Sequence, residues 1–337
     1  MRALPIIVLA LGVAVLGVPR AHAQFAERNL RVSAAVPQDH PFGNGVAALA
    51  RCTVEKTGGK MKVQGFWSAA LGSDLQAVQA VRSGTIEMVV ASTSPLVGLV
   101  PALGAFDLPF LFNNDAEADA VLDGPAGQSL SEKMLGTGLV NLGYWENGFR
   151  NVTNSRRPIT KWEDISGLKI RVMQNNIFLD TFKNMGANAV PLAYGELYTA
   201  LETKAIDGQE NPFANIETAK FYEAQKYLSI TQHAYTPAII LYSKRLWDQL
   251  SKDEQGVLTS CGQTAKAEER KVNRAQSQES LAKLKQHGMV VNEVSADEIA
   301  RMREKAKEVY AKHASTIGPD ILKLVQDQLA QIRAARR

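Results

Sequence analysis

The sequence predicts an α/β protein with two α/β units and a helical C-terminal part, an arrangement that suits two lobes with a cleft between them. A β-α-β-α-β pattern occupies the first hundred residues, and a second α/β unit covers roughly residues 145–235. Beyond residue 242 the chain is highly charged, with apolar residues at helical spacing. At 337 residues the chain is also too long for one ordinary core.

The N-terminus has the features of a signal peptide. Arg2 supplies a positive charge, residues 4–18 are almost all apolar, and residues 21–23 (AHA) form a small-x-small cleavage site. The apolar run is shorter than the roughly 20 residues that a membrane-spanning helix needs. An uncleaved anchor is the alternative, and the two alanines argue against it. We expect residues 1–23 to be removed, leaving an exported protein that begins at Gln24.

The first unit predicts a largely parallel sheet with helices on both faces, because each helix separates two strands. Its expected elements are a strand at 30–35, a helix at 45–56, a strand at 60–66, a helix at 74–82 and a strand at 87–91.

The second unit and the C-terminal part are predicted from the same periodicities. Strands are expected at 139–144, 167–172 and 189–192, with helices at 176–185 and 195–203. A long charged helix is expected from 244 to 286, followed by a strand at 288–291 and helices at 296–313 and 320–334.

Composition and motifs argue against several functions. The formal net charge of +4 comes without a basic block, so nucleic acid is not an expected partner. The histidines have no metal-ligand spacing, and no nucleophile elbow, phosphate loop or dinucleotide fingerprint is present. We therefore expect no catalytic residue, metal or cofactor. Convergent active sites leave no local motif, so a secreted enzyme is an alternative, with Glu210 as its carboxylate.

Five residues are candidates for binding an organic acid. Arg171 lies inside an apolar strand, and Arg150 lies in a segment rich in polar and aromatic groups. A guanidinium offers a planar fork of donors that matches a carboxylate. Asn211, Tyr194 and Phe213 could complete a pocket. The alternatives are salt bridges or surface positions for the arginines, loop capping for the asparagine and core packing for the aromatic residues.

The mature chain has two cysteines, Cys52 and Cys261. In an oxidising compartment they could form a disulfide, or they could be two buried thiols. Sequence alone leaves both possibilities open, because it does not give the distance between the two residues.

Three separated motifs resemble one known family. They are residues 148–155 (GFRNVTNS), 164–172 (DISGLKIRV) and 205–212 (AIDGQENP). In this order they are similar to the substrate-binding proteins of tripartite ATP-independent periplasmic (TRAP) transporters, and residues 84–88 (GTIEM) and the helical C-terminus fit the same family.

The resemblance implies a periplasmic binding protein fold, with two α/β domains, hinge strands and a long connecting helix. It implies that domain I comprises residues 24–146 and 237–276, and domain II residues 147–236 and 277–337. Both cysteines would then lie in domain I, which favours the disulfide.

The resemblance also implies roles in the site. Arg171 would make a bidentate salt bridge to the ligand carboxylate, Arg150 and Asn211 would assist, and Tyr194 would pack on the ligand. Alanine at 34 and 35 and serine at 92 argue against sialic acid. The match is nearer to the C4-dicarboxylate branch, whose relatives also bind hydroxy, sugar and keto acids. Donors for the rest of the ligand are expected among Ser92, Thr93, Trp145, Asn147 and Gln174.

The expected function is capture of a small organic carboxylate and its delivery to TRAP membrane permease subunits, without catalysis. We expect a monomer. A solute sensor that reports to a receptor is a further alternative, which the sequence does not separate from transport.

Overall fold

A computed structural model describes residues 25–335 of the chain. The expected signal peptide, residues 1–23, lies outside the described residues. The strands are β1 (Arg28–Ala34), β2 (Met61–Phe66), β3 (Met88–Ser92), β4 (Leu139–Asn154), β5 (Lys169–Val172), β6 (Asn188–Pro191), β7 (Gly208–Asn211), β8 (Tyr227–Ser243) and β9 (Val290–Glu293).

The α-helices vary from one turn to 35 residues. They are α1 (Pro41–Thr57), α2 (Asp74–Ser83), α3 (Asp115–Leu122), α4 (Pro125–Leu135), α5 (Asn176–Asn184), α6 (Leu197–Glu202), α7 (Phe213–Thr218), α8 (Lys244–Trp247), α9 (Lys252–Gln286), α10 (Ala296–Ile317) and α11 (Pro319–Ala334).

The first β-α-β-α-β unit forms as predicted. β1 pairs in parallel with both β2 and β3, and α1 and α2 make the crossovers. Helix α2 begins with a capping box, in which Ser73 and Gln76 each bond the other's backbone N–H, and it ends at Gly84 in the left-handed region (φ 79°). These local signals explain why the sequence located the helix to within a residue.

One mixed sheet runs through the molecule in the order β2-β1-β3-β8-β4-β7-β5-β6, with β9 added to β8. The pairs at its two ends are parallel, as expected. The three pairs in the centre, β3–β8, β8–β4 and β4–β7, are antiparallel. The expectation of a largely parallel sheet, made for the first unit, is met by β2, β1 and β3, whereas the centre of the whole sheet is antiparallel.

The long strands β4 and β8 join the two ends. Only the first six residues of β4 were predicted as a strand, and β8 was not predicted. Their register shifts at three points, including one between Glu146 and Gly148. Gly148 has φ 114° and Gln232 has φ 42°, so both strands depart from regular geometry near their midpoints.

Alternate side chains of the sheet enter different cores. In β3, Met88 and Val90 belong to the apolar cluster under α1 and α9, whereas Val89 and Ala91 belong to the cluster under α2, α3 and α4. Two further clusters cover the other end of the sheet, one around β5 and α5 and one around α6 and α7. Helices thus cover both faces, which leaves the strand ends as the place for a site.

The 35-residue helix α9 is about 52 Å long at the usual helical rise. It packs along α1 near its start and along α7 further on. A disulfide joins Cys52 of α1 to Cys261 of α9, with the two Cα atoms 5.5 Å apart. The helix therefore connects the two ends of the sheet.

The last helix, α11, returns to the first part of the chain. Arg333 forms a salt bridge of 2.7 Å with Glu117 of α3, and Gln328 accepts a hydrogen bond from the backbone N–H of Ala126 in α4. We expected residues 277–337 to belong to domain II, but α11 packs with residues assigned to domain I. Its apolar face completes the core under α3 and α4, which the sequence pattern alone did not assign.

Among residues 25–335, no helix is both long and apolar enough to cross a membrane.

Candidate functional site

A pocket lies where the carboxyl ends of β1, β3, β5, β6 and β7 converge, the usual position for a ligand in an α/β sheet. Six of the ten predicted ligand residues line it: Ser92, Asn147, Arg171, Gln174, Tyr194 and Asn211. The wall is completed by residues that the sequence did not single out, among them Phe42, Asp74, Met173 and Asn215. Both ends of the sheet contribute to it.

Arg171 is 2% exposed at the end of β5. Its Nε and Nη2 donate to the Leu192 carbonyl at 2.9 and 2.7 Å, whereas its Nη1 has no partner among the described residues. The carbonyl orients the guanidinium, and the Nη1–Nη2 edge, a shape that matches a carboxylate, is left without an acceptor among the described residues. Burial lowers the pKa of Arg171 to about 10, which keeps the side chain charged at neutral pH.

Arg150 lies behind the pocket wall and does not line it. It is fully buried and bonds both carboxylate oxygens of Glu210, at 2.5 and 2.9 Å. Its Nη2 also donates to Asn211 Oδ1 at 3.0 Å. The expected contribution of Arg150 is therefore indirect in this structure, since it orients Asn211.

Asn211 is held from both sides. Its Oδ1 accepts from Arg150, and its Nδ2 donates to Gln209 Oε1, while Gln209 donates in turn to Thr153 on β4. One hydrogen of the Asn211 Nδ2 group remains for a ligand, since an amide nitrogen carries two.

Three polar residues lie around the rest of the pocket. Asn147 donates from Nδ2 to Ser92 Oγ at 2.9 Å, which links β4 to the end of β3. The Tyr194 hydroxyl donates to the Asn215 carbonyl at 3.4 Å, and burial raises the Tyr194 pKa above its ordinary value. Gln174 is exposed at the edge of the pocket.

Besides Arg150, three predicted ligand residues lie outside the pocket. Trp145 is fully buried and packs edge-on against Phe42, with ring centroids 6.0 Å apart. Thr93 is buried and donates to the Pro237 carbonyl at 3.3 Å. Phe213 packs into the cluster around α6 and α7. Trp145 therefore supports Phe42, which lines the pocket. Thr93 bonds the backbone, and Phe213 contributes to a core.

Asp74 lines the pocket, but the sequence did not predict it as a ligand residue. It is the first residue of α2, where the helix dipole already explains an acidic side chain, so nothing marked it as a ligand group. Within the described part of the chain its carboxylate makes no hydrogen bond or ion pair. Burial raises its pKa to about 6, and the charge of Arg171 opposes that shift.

Asn215 and Phe42 were missed for different reasons. Asn215 lies in the six-residue helix α7, for which no helix was predicted. Phe42 lies in the first turn of α1, ahead of residue 45, where the predicted helix begins. Asn215 lies four residues after Asn211, and this spacing was the one sequence signal that could have placed the two side chains near each other.

Nothing in residues 25–335 forms a His, Cys, Asp or Glu group suited to a metal. Glu210, the carboxylate considered for an enzyme, does not line the pocket. Burial opposes its ionisation, but Arg150 and His233 together hold the Glu210 pKa below its ordinary value. A carboxylate that is buried and paired in this way is unsuited to act as a general base.

A family model for bacterial extracellular solute-binding protein family 7 (DctP) matches residues 32–316. The chain belongs to this family. Family 7 proteins of this kind are the periplasmic solute-binding components of TRAP transporters, and their known structures are two-lobed. The resemblance of the three motifs is thereby confirmed.

Two solved structures and one curated relative illustrate the range of this family. The sugar acid binding protein DctPAm of Advenella mimigardefordensis, in complex with galactonate, is 44% identical, with a TM-score of 0.90, covering 91% of this chain and 99% of that one. A TRAP solute-binding protein of Sulfurospirillum deleyianum with bound succinate is 31% identical, with a TM-score of 0.86, covering 90% and 99%. The 2,3-diketo-L-gulonate-binding periplasmic protein YiaO of Escherichia coli is 37% identical over 81% of this chain and 84% of its own.

Proposed function

We propose that this family 7 protein binds a small organic acid through the Nη1–Nη2 edge of Arg171 and delivers it to the permease subunits of a TRAP transporter. The observation that carries the proposal is a buried guanidinium that lines a pocket, is oriented by the Leu192 carbonyl and has one nitrogen without a partner in residues 25–335. Relatives whose bound acids are galactonate, succinate and diketogulonate support the same class of ligand.

Two lobes that close over the ligand account for the position of the pocket. We assign lobe I to residues 25–146, 237–276 and helix α11, and lobe II to residues 147–236 and 277–317. The irregular midpoints of β4 and β8, near Gly148 and Gln232, are the proposed hinge. A ligand that touches both lobes favours the closed form by no more than its difference in affinity for the two forms.

The finer features of the function are also proposals. We propose that residues 1–23 are cleaved on export, that the protein acts as a monomer and that it releases its ligand unaltered. Recovery of a chemically changed acid after prolonged incubation with the protein would contradict the last point.

Substitution of Arg171 tests the proposed function. Arg171→Ala should lose at least about 100-fold in affinity for the acid that the native protein binds, because the buried carboxylate is left unpaired. Arg171→Lys should also bind more weakly, since one ammonium does not reproduce a planar fork. Isothermal titration calorimetry measures both affinities.

Arg51→Ala is the matched control. Arg51 is exposed on α1 and lies outside the pocket, so its removal should leave the affinity unchanged. Native affinity in Arg171→Ala would reject the assignment of the site.

A further inference from the structure

Besides Arg171, the pocket contains side-chain oxygen atoms that accept no well-formed hydrogen bond from a described residue. Asn147 and Asn215 are each 2% exposed, and the Oδ1 atom of each makes no hydrogen bond of good geometry to a described residue, although the Asn215 side chain interacts with the His40 ring. The Asp74 carboxylate lines the same pocket, again without a hydrogen bond or ion pair to a described residue. Buried acceptors that lack a donor are costly, so the two amide oxygens, with the half-buried Asp74 carboxylate beside them, indicate a ligand that donates.

The charges of the pocket limit what that ligand can be. Among the described residues that line the pocket, Arg171 is the only one with a positively charged side chain. A second carboxylate on the ligand would find no cation and would approach Asp74, a like charge. The charge pattern therefore fits an acid with a single carboxylate.

The remaining wall suits the carbon chain of such an acid. Phe42, Val90 and Met173 contribute apolar surface to the same pocket. Apolar side chains pack against C–H groups, whereas the oxygens of Asp74, Asn147 and Asn215 are suited to hydroxyl donors. A hydroxylated carbon chain presents both kinds of surface at once.

We propose that the ligand is a polyhydroxylated monocarboxylate of the sugar-acid class, and that Asp74 determines its selection by accepting hydrogen bonds from its hydroxyl groups. The Oδ1 atoms of Asn147 and Asn215 accept from further hydroxyls. This inference rests on the proposed function, since it takes Arg171 to hold the single carboxylate. An ionised carboxylate is the stronger acceptor of the three, because its hydrogen bonds are charge-assisted.

Binding of matched acids tests the ligand class. D-erythronate and D-galactonate provide hydroxylated chains of four and six carbons, butyrate and hexanoate the same chains without hydroxyls, and succinate a second carboxylate. In calorimetry, the better hydroxylated acid should bind at least about 100-fold more tightly than any of the other three, since a site with unpaired acceptors rejects ligands without donors. If butyrate, hexanoate or succinate binds as tightly as the better hydroxylated acid, the inference is overturned.

Substitution of Asp74 tests the residue. Asp74→Asn should weaken binding of the preferred hydroxylated acid at least about tenfold, and Asp74→Leu should weaken it further. Neither change should weaken binding of succinate, because both remove a like charge. A residue that only stabilises the start of α2 would instead lower the melting temperature and affect all acids alike, and that outcome overturns the assignment.

Two controls separate the inference from the proposed function. Glu55→Gln changes an exposed carboxylate on α1 and should leave all affinities unchanged. If Arg171→Ala abolishes binding of every acid while Asp74→Asn leaves selectivity unchanged, the inference fails and the proposed function stands. If Arg171→Ala binds as the native protein does, or if no acid binds to the native protein, the proposed function fails.

Discussion

At the scale of single residues, the Arg150–Glu210 pair shows how the fold supports a site without touching it. Both side chains are fully buried, and Glu210 also bonds His233 at 3.1 Å. Because the same guanidinium holds Asn211, the pair sets the direction of an amide that lines the pocket. The pair therefore affects both the stability of the protein and the geometry of the pocket.

Glu210→Ala should reduce the free energy of unfolding by about 3–5 kcal/mol, because it leaves the Arg150 charge buried without its carboxylate. The double variant Arg150→Met/Glu210→Leu should recover part of that loss, since no uncompensated charge remains. It should still bind its acid more weakly than the native protein, because Asn211 is released. Urea denaturation without ligand gives the stabilities, and a loss below about 1 kcal/mol in Glu210→Ala would contradict the first expectation.

At the scale of elements, helix α9 is attached to β4 at the point where the strand is irregular. Glu269 of α9 accepts a hydrogen bond from the Glu146 N–H at 2.8 Å, and Asn273 donates to the Glu146 carbonyl at 2.5 Å. Arg274 bonds the Glu146 side chain at 2.8 Å. Three successive contacts therefore join the helix to one residue beside the proposed hinge.

This attachment predicts a dependence of stability on pH. Burial raises the pKa of Glu269 from 4.5 to about 8, so the folded protein binds a proton that the unfolded chain has released across this interval. Stability should fall as pH rises from 5 to 8, and Glu269→Gln should reduce the slope because it removes the titrating group. Melting temperatures at four pH values measure the effect.

Glu279→Gln, an exposed change on the same helix, should keep the native slope. An identical slope in Glu269→Gln and the native protein would show that Glu269 does not titrate in this range.

At the scale of the whole molecule, the disulfide and the last helix tie distant parts of the chain together. Cys52 and Cys261 are 209 residues apart, and α11 packs on α3 and α4. Both contacts are long-range. The disulfide stabilises the fold by restricting the conformations of the unfolded chain, and α11 does so by completing a core.

The double variant Cys52→Ala/Cys261→Ala should lose about 2–5 kcal/mol of stability, the usual effect of removing a native disulfide. Its affinity for the ligand should stay near the native value, because neither cysteine lines the pocket. Mass spectrometry of periplasmic protein under non-reducing conditions should find no free thiol. Two freely alkylated cysteines would contradict the disulfide in the exported protein.

Local signals made much of the fold predictable. The capping box and final glycine of α2 and the apolar strand that contains Arg171 are read from neighbouring residues. Strand β8 was missed because its 17 residues include Pro237, which cannot donate to a neighbouring strand, and polar residues that break the alternation. Helix α11 was predicted as a helix, but its packing partners depend on distant residues.

The site was predictable in type and less so in detail. The three motifs indicated Arg171 and Asn211, which line the pocket. The Leu192 carbonyl occupies the Nε–Nη2 edge of Arg171, from which it is 21 residues distant in the sequence. This contact depends on the path of the chain after β6, so the sequence did not predict it. Asp74 was missed because its position at the start of a helix already had a sufficient explanation.

The bond between Cys52 and Cys261 also constrains the order of events during export. A chain that crosses the membrane N-terminus first presents Cys52 long before its partner, because 209 positions separate the two. During that interval Cys52 is a thiol available to oxidants or to other exported proteins. In such a chain, helix α1 can pack on β1 and β2 before α9 emerges, whereas its covalent link to α9 forms only after Cys261 has crossed.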